Sequence, residues 1–132
     1  MATVDRTEQA RQTVICTDPV TITYADDGDT IQVAKVPANA CIHYILVNVK
    51  TAFNDSGNDY LDIGDGADTD RFKNNLDVSS AGLHLIGCGG YKYSSADTID
   101  AIYSGANGDS SAGELTIQVV YSIEDRATEV QE

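Results

Sequence analysis

Strict two-residue alternation of apolar side chains limits the fold of this chain more than any other pattern in it. Near the C-terminal end, ELTIQVVYSIE places Leu115, Ile117, Val119, Tyr121 and Ile123 at every second position. Successive side chains of a β-strand point to opposite faces, whereas those of a helix return to one face every 3.6 residues. The segment is therefore predicted to be a strand with one buried face.

The same alternation recurs in TVICT, VTITY, TIQVAKV, YLDI and DTIDAIYSG, with glycine, asparagine and aspartate between the runs. These residues favour turns. LDV, GLHLIG and GYKYS are also predicted to be short strands, and the glycines of IGCGGY a bulge or tight bend. The one predicted helical element is a single turn in DTDRFKNN, capped by Asp68 or Thr69.

Residues 41–50 form the longest apolar run of the chain. Their β-branched content favours a strand over a helix. Both faces of this strand are apolar, so we expect it to be central and covered on both sides, by a second sheet or by a neighbouring subunit. One face holds Ile42, Tyr44 and Leu46, and the other holds Ile45, Val47 and Val49.

About eight short strands and little helix predict an all-β fold, an antiparallel β-sandwich. A jelly-roll-like arrangement is favoured over an immunoglobulin-like one, because the chain has no tryptophan and no Cys–Trp–Cys pattern. The 132 residues suffice for one domain. We predict a polar N-terminal arm at residues 1–12, a single sandwich domain at 13–124 and a polar C-terminal tail at 125–132.

The net charge of −13 excludes several partners. Nucleic-acid binding requires clustered Lys and Arg, whereas the eight basic residues here are scattered. An anionic membrane is excluded in the same way, and no apolar stretch is long enough to span a bilayer. The polar start indicates no secretory signal, and Cys16, Cys41 and Cys88 lack metal-binding or disulfide spacing, which is typical of free cytosolic thiols.

The acidic stretch FNDSGNDYLDIGDGADTDRF is the strongest candidate for chemistry. Calcium prefers several oxygen ligands, and Asp65, Asp68 and Asp70 could supply three of them, but the spacing does not match a calcium-binding loop. A glycosidase pair is disfavoured by the lack of aromatic platforms for sugar. We predict instead that the aspartates make Asx-turns and keep loops hydrated. They are Asp55, Asp59, Asp62, Asp65, Asp68 and Asp70.

Other candidate residues give no site with assigned catalytic roles. His43 is predicted to be a packed or interface residue, and His84 a solvent or cross-strand residue. A Cys41–His43 pair lacks an orienting third group. Tyr91 and Tyr93 are predicted to share a strand face that packs across a subunit boundary or touches a sugar. We therefore predict no enzyme activity, no catalytic residues, no metal and no cofactor.

Several phrases resemble those of short virion proteins of tailed bacteriophages. The matching pieces within residues 36–123 are turn-and-strand phrases and not catalytic signatures. They are Phe53-Asn54, Leu61-Asp62-Ile63-Gly64, Ala67-Asp68 with Asp70 and Phe72, Ala81-Gly82, and Ala112-Gly113-Glu114 before the last strand.

This resemblance implies a head decoration, or cement, protein that binds the outer capsid surface between capsomers and stabilises the shell. The implied partners are the major capsid protein and further copies of the chain, as a trimer, in a virion assembled in the host cytoplasm. Residues 1–12 and the surface of strand 41–50 are the expected contact regions. The alternatives are a tail-fibre or receptor-binding module that contacts host sugars through its loops and Tyr91/Tyr93, a hydrolase or lyase using the aspartates, and a calcium-stabilised adhesion domain.

Overall fold

A computed structural model describes the backbone of residues 9–131 and the side chains of residues 13–124. Within that part of the chain it contains nine strands and one short 3-10 turn at Tyr24–Asp26. None of its helices is long and apolar enough to cross a membrane. The strands are β1 (Gln9–Cys16), β2 (Val20–Thr23), β3 (Thr30–Val36), β4 (Ala40–Thr51), β5 (Asp59–Gly64), β6 (Lys73–Asp77), β7 (Gly82–Lys92), β8 (Asp97–Gly105) and β9 (Glu114–Gln131).

The strands form two antiparallel sheets packed face to face, which confirms the predicted all-β sandwich. The five-stranded sheet has the order β1-β9-β4-β7, with β2 pairing a different part of β9, and the four-stranded sheet has the order β3-β8-β5-β6. β1 and β2 lie along the same strand, β9, and are separated by three residues that include Pro19. Counted as one interrupted strand, they give two sheets of four strands, as in a jelly roll.

The core lies between the sheets and is built by the alternation that the sequence shows. In the five-stranded sheet Ile45 and Val47 of β4 pair with Val119 and Ile117 of β9, and all four are fully buried. The four-stranded sheet contributes an opposing row of buried side chains, because alternate residues of each strand point inward. Those residues include Leu61, Ile63, Ile99, Ala101 and Tyr103.

A bulge interrupts the pairing of β4 with β7 and with β9 at His43. On the β7 side, Gly89 and Gly90 have φ values of 65° and 71°, which residues with a Cβ rarely adopt. The predicted bulge in IGCGGY is therefore present, and it joins GLHLIG and GYKYS into the one strand β7. It also rotates Ile42 into the core while Tyr44 points outward.

Three local predictions need revision. The turn predicted in DTDRFKNN is present as a single hydrogen-bonded turn and not as a helix: Arg71 N–H donates to the Asp68 carbonyl at 3.3 Å, and β6 then starts at Lys73. β4 is central within its sheet and its inner face is covered by the second sheet, whereas Tyr44 on its outer face is exposed, so coverage of that face by a neighbouring subunit stays a prediction. The predicted polar ends are partly in strands, since Gln9–Gln12 pair with residues 127–131. Residues 1–8 of the predicted arm lie outside the described residues.

Candidate functional site

The first half of the acidic stretch is tied to the loop at residues 106–112. Asp55 is buried, and its carboxylate accepts hydrogen bonds from the backbone N–H groups of Gly57 (2.7 Å), Asn107 (3.0 Å) and Asp109 (3.1 Å). Burial raises the pKa of this carboxyl, but the three N–H donors outweigh it and hold the pKa below its usual value. The Gly57 contact is the predicted Asx-turn. The carboxylate, however, is buried and not solvated, and it joins the loop at residues 55–57 to the loop at residues 106–112 through these hydrogen bonds.

Asp59 connects Asp55 to a tyrosine of the core, Tyr103. Its Oδ1 accepts a hydrogen bond from the Tyr103 hydroxyl at 2.6 Å and one from the Asp55 N–H at 3.2 Å. The Tyr103 hydroxyl also lies 2.6 Å from Ser110 Oγ, and its ring stacks at 4.4 Å on Phe53. Burial and the Asp59 carboxylate raise the pKa of Tyr103, so it remains a proton donor. Asp59 is buried, and its Oδ1 holds the hydroxyl of the core tyrosine Tyr103 in place.

The second half of the stretch forms a separate buried cluster around Asp65, whose side chain is fully buried. Arg71 Nε donates to Asp65 Oδ2 at 2.5 Å, and the Tyr93 hydroxyl donates to the same oxygen at 2.7 Å. The N–H groups of Ala67 and Asp68 donate to Oδ1. Burial raises the pKa of Asp65, but these donors outweigh it and the pKa lies below its usual value. The ionised carboxylate thus closes the 65–71 turn.

The remaining aspartates of the stretch lie nearer to solvent and serve the same turns. Asp62 Oδ1 accepts from Asn75 N–H at 2.7 Å, and Asp68 Oδ1 accepts from Asp70 N–H at 3.3 Å. Among the described residues, no group of three or more His, Cys, Asp or Glu is placed to hold a metal ion. Asp65, Asp68 and Asp70 therefore do not converge on one ion position: Asp65 points into its cluster with Arg71, and Asp70 is exposed.

Tyr91 and Tyr93 lie next to the Asp65 cluster and do not form a flat sugar platform. Tyr93 is buried, and its ring meets Tyr91 edge to face at 5.0 Å. The Arg71 guanidinium covers one face of the Tyr91 ring at 4.6 Å, and Phe72 packs edge to face against it at 5.8 Å. Arg71, Phe72 and Tyr91 thus pack on one another, while Tyr91 remains 36% exposed.

The histidines and the buried thiol each have separate surroundings. His43 Nε2 lies 2.8 Å from Ser122 Oγ, and Cys41 Sγ donates to the Gly90 carbonyl at 3.4 Å. Burial raises the pKa of Cys41, which disfavours the thiolate that a nucleophile needs. His84 faces the sheet interior beside its cross-strand neighbour Val47. His43 is exposed, so it is not packed in this chain and its interface role stays a prediction, whereas His84 is the predicted cross-strand residue.

A buried carboxylate that sequence reasoning missed lies on β8. Asp100 Oδ1 is buried and has no hydrogen-bond partner. Burial raises the pKa of Asp100, and the charges of Asp97 and Asp65 raise it further, while a hydrogen bond with Thr98 lowers it. The 65–71 turn covers Asp100. Its Asp68 carbonyl packs directly against Gly64, the cross-strand neighbour of Asp100, where a larger residue would leave no room for it. In the sequence DTIDAIYSG, Asp100 is indistinguishable from a solvated strand residue.

The outer face of the five-stranded sheet has the opposite character. Side chains directly opposite each other on paired strands share a face, so the register defines three outward rows. None of the residues in these rows is charged, although the chain carries 21 acidic residues. We call this surface the neutral face. Its rows are Leu83, Asn48, Thr116 and Thr21; Leu85, Leu46 and Gln118; and Gly87, Tyr44, Val120 and Cys16.

Large apolar side chains are exposed on the neutral face. Leu83 and Leu85 on β7 are 66% and 65% exposed, and Tyr44 on β4 is 37% exposed. Val14 on β1 continues the apolar surface beyond the third row. Among the described side chains, charged residues of the same sheet lie toward its ends, with Lys92 paired to Glu124 at 2.7 Å at one end and Lys50 and Glu114 at the other. Exposed apolar side chains grouped on one sheet face make this surface a candidate interaction site.

The corresponding rows on the outside of the four-stranded sheet are acidic, and we call this surface the acidic face. Each row contains one aspartate. They are Gln32, Asp100 and Gly64; Thr30, Ile102 and Asp62; and Ser104, Tyr60 and Asp77.

Comparison with known proteins finds the same fold in phage capsid structures. A chain of the cyanophage Pam1 capsid asymmetric unit is 16% identical, with a TM-score of 0.59, over 93% of this chain and 92% of that one. A chain of the acidic stable capsid structure of Helicobacter pylori bacteriophage KHP30 gives 12% identity and a TM-score of 0.63 over 92% and 97%. A chain of the Ralstonia phage GP4 capsid gives 13% and 0.52 over 96% and 92%. No protein-family model and no curated protein matches the sequence.

Proposed function

We propose that this protein is a structural component of a phage virion, of the decoration type, and that its neutral face is covered by other virion proteins in the assembled particle. The observation that carries this proposal is the contrast between a chain of net charge −13 and a sheet face with three uncharged rows and exposed leucines. Likeness in fold to chains of three phage capsid structures supports it.

Interface physics gives the mechanism of such a component. A protein that binds the assembled shell and not its free subunits stabilises the shell by mass action. Repetition of the same contact over a symmetric lattice adds avidity, so each single contact can be weak. The acidic face and its loops remain toward solvent, where the charge keeps the free protein soluble, or meet basic patches of the coat. The partners that we propose are the major capsid protein on the outer head surface and further copies of this chain, with the trimer that the sequence resemblance implies.

A structural role also accounts for the aspartates without any reaction. A general acid or base must reach substrate with a free carboxyl oxygen. Here the buried carboxylates of Asp55, Asp59 and Asp65 are occupied by backbone, tyrosine and arginine donors. The alternative of a receptor-binding module would have to use Tyr91, which is partly exposed but has one ring face beneath Arg71, and Tyr93, which is buried.

Particle binding tests the proposal directly. Heads of the encoding phage, prepared with this gene deleted, should bind the purified chain saturably at many sites, and the filled heads should resist heat better than bare ones. Leu46→Asp on the neutral face should lose binding, whereas Asp62→Asn on the acidic face should retain it. Immunogold labelling confined to the tail, or heads that bind no protein, would overturn the decoration role. A version lacking residues 2–8 tests whether the predicted arm adds to binding.

A further inference from the structure

We propose that the β7 border of the neutral face associates with a second copy of this chain, strand against strand, across a two-fold axis. This deepens the proposed function and rests on it for the biological setting. The contact itself is a property of the isolated chain and can be tested without any particle. It assigns one occupant to the Leu83–Leu85 border and leaves the Tyr44 side of the neutral face to other virion proteins.

The first reason is the unpaired backbone of β7. Within the described chain β7 pairs only with β4, so one side of its N–H and C=O groups has no strand partner. Unpaired strand edges recruit other strands, and native proteins block them with charges, proline or bulges. The stretch from Gly82 to Tyr91 contains no charged residue and no proline. Backbone irregularities lie at its two ends, at Gly82 with a φ of 151° and at the Gly89–Gly90 bulge, and residues 83–87 between them pair regularly with β4 and have no strand on their other side within the described chain.

The other sheet provides the contrast. Its two free edges are β3 and β6, and each carries charges that oppose pairing. Lys35 lies on β3, and Lys73 and Asp77 lie on β6. A chain of this overall charge therefore protects the edges of its acidic sheet and leaves the β7 edge unprotected. An edge without such protection is expected to be covered in the functional state.

The second reason is that the β7 border complements itself. Residues opposite each other in an antiparallel pair share a face. A two-fold pair centred on His84 places Leu83 of one copy opposite Leu85 of the other. The two leucines of each copy, which are exposed in the single chain, then cover those of its partner. Isologous pairing of this kind is the commonest symmetry of homo-oligomers.

Charge selects the same partner. Two copies that each carry −13 repel one another, and they can approach closely only through a surface without acidic groups. The rows that hold Leu83 and Leu85 are such a surface, and the pairing joins the two neutral faces edge to edge while both acidic faces lie on the opposite side of the sandwiches. A basic partner would find no anion on this border, whereas a second neutral border fits it.

The contact is small, which sets its strength. A short strand pair with four leucines buries less than the standard interface of about 800 Å² per partner, so we expect a dissociation constant on the order of micromolar. Such an association is weak in dilute solution and is reinforced when copies are arrayed on a lattice.

Analytical ultracentrifugation of the full chain from micromolar to millimolar concentration measures the association. The mass should rise from the 14.1 kDa of one chain to twice that value. Leu83→Lys with Leu85→Lys should weaken the dimer by about a hundredfold or more, because a lysine ammonium would be desolvated at the contact. Val14→Lys, an equally exposed apolar position at the far border of the same sheet, is the matched control and should leave the dimer intact.

Hydrogen exchange separates strand pairing from simple face packing. Alternate amides of residues 82–87 should exchange more slowly as concentration increases in the wild type, and no such change should occur in the double lysine variant. A chain that stays monomeric throughout, or a dimer indifferent to the two lysines, overturns the inference. So does a trimer whose β7 amides exchange at the monomer rate, although that result supports the proposed trimer. A monomeric double variant that still binds phage heads would leave the decoration role standing.

Discussion

The two outer faces of this sandwich use the same pleated geometry for opposite purposes. On the acidic face and its loops, polar side chains are consumed by the fold: Asp65 and Asp55 each accept several hydrogen bonds within the chain. On the neutral face, Leu83 and Leu85 contribute little to the core of their own chain. The clustered aspartates therefore stabilise the fold of their own chain. The uncharged face with its exposed leucines is the surface that remains available for binding other proteins.

If this contrast holds, substitutions in the acidic loops reduce the stability of the fold, and substitutions on the neutral face reduce association only. The largest effect is expected at Asp65. Asp65→Ala should lower the free energy of unfolding by about 3 kcal/mol, because it leaves Arg71 and the Tyr93 hydroxyl without their shared acceptor. Urea unfolding followed by circular dichroism measures this. Asp70→Ala, an exposed neighbour, is the control, and equal losses in the two variants would contradict a structural role for Asp65.

The Tyr103–Asp59 contact should give the next largest effect. Tyr103→Phe keeps the ring on Phe53 but removes the donor to Asp59 Oδ1, so we expect a loss of about 1–2 kcal/mol. The same unfolding assay applies, with Tyr60→Phe on the acidic face as the control. An unchanged unfolding free energy in Tyr103→Phe would indicate that water replaces the hydroxyl and that the Tyr103–Asp59 hydrogen bond does not stabilise the fold.

Replacing Asp100 should stabilise the fold, in contrast to the two preceding substitutions. Because the folded-state pKa of Asp100 is raised, its contribution favours folding below the unfolded pKa of about 3.8 and is lost as pH rises through the folded value. Asp100→Asn should therefore raise the unfolding free energy at pH 7 by about 1 kcal/mol and reduce the gain in stability on mild acidification. Thermal melts from pH 7 to pH 4 measure both, and an unchanged pH profile in the variant would contradict the assignment.

Three acids with lowered pKa values, two of them buried, affect stability at lower pH. Asp55, Asp65 and Asp77 have lowered pKa values in the folded chain, so their contribution is present above the unfolded value of 3.8 and is lost as pH falls through the folded values. Stability should therefore decline steeply below about pH 4. In melts extended to about pH 2, Asp65→Asn should shift this decline, whereas Asp18→Asn, at an exposed aspartate between β1 and β2, should not.

The smallest effect on folding is expected on the neutral face. Leu85→Ser should change the unfolding free energy by less than about 0.5 kcal/mol, since the side chain is mostly exposed. Unfolding measured at low micromolar concentration avoids any contribution from association. A loss as large as that of Asp65→Ala would erase the distinction between the two faces.

Much of the fold was predictable from the sequence because alternation is a local signal. Leu115, Ile117 and Val119 repeat at every second position and are all buried in β9. The glycines of IGCGGY also indicated their bulge locally, since positive φ favours glycine. The turn predicted in DTDRFKNN forms between Asp68 and Arg71 but does not become helical, because the Asp68 carbonyl also accepts from the Asp65 N–H and the chain then enters β6.

The candidate site was less predictable, because its members come from distant parts of the chain. The sequence marked the aspartates as turn residues. It could not show that Asp55 meets the N–H groups of Asn107 and Asp109, or that Asp65 meets Tyr93. Leu83 and Leu85 were predicted only as part of a strand, and nothing local distinguishes an outward leucine from an inward one.

By itself, then, the sequence determined an acidic all-β chain of short strands, because side-chain alternation and turn residues act over a few neighbouring positions. Only the tertiary structure decided which face of each strand looks inward, which aspartates are buried, and which sheet edge is left open. Those outcomes depend on register and on contacts between distant residues, such as Asp55 with Asp109, 54 positions apart, and Gln118 with Thr17, 101 positions apart. Shifting a strand by one residue would exchange its two faces without changing a single letter of the sequence.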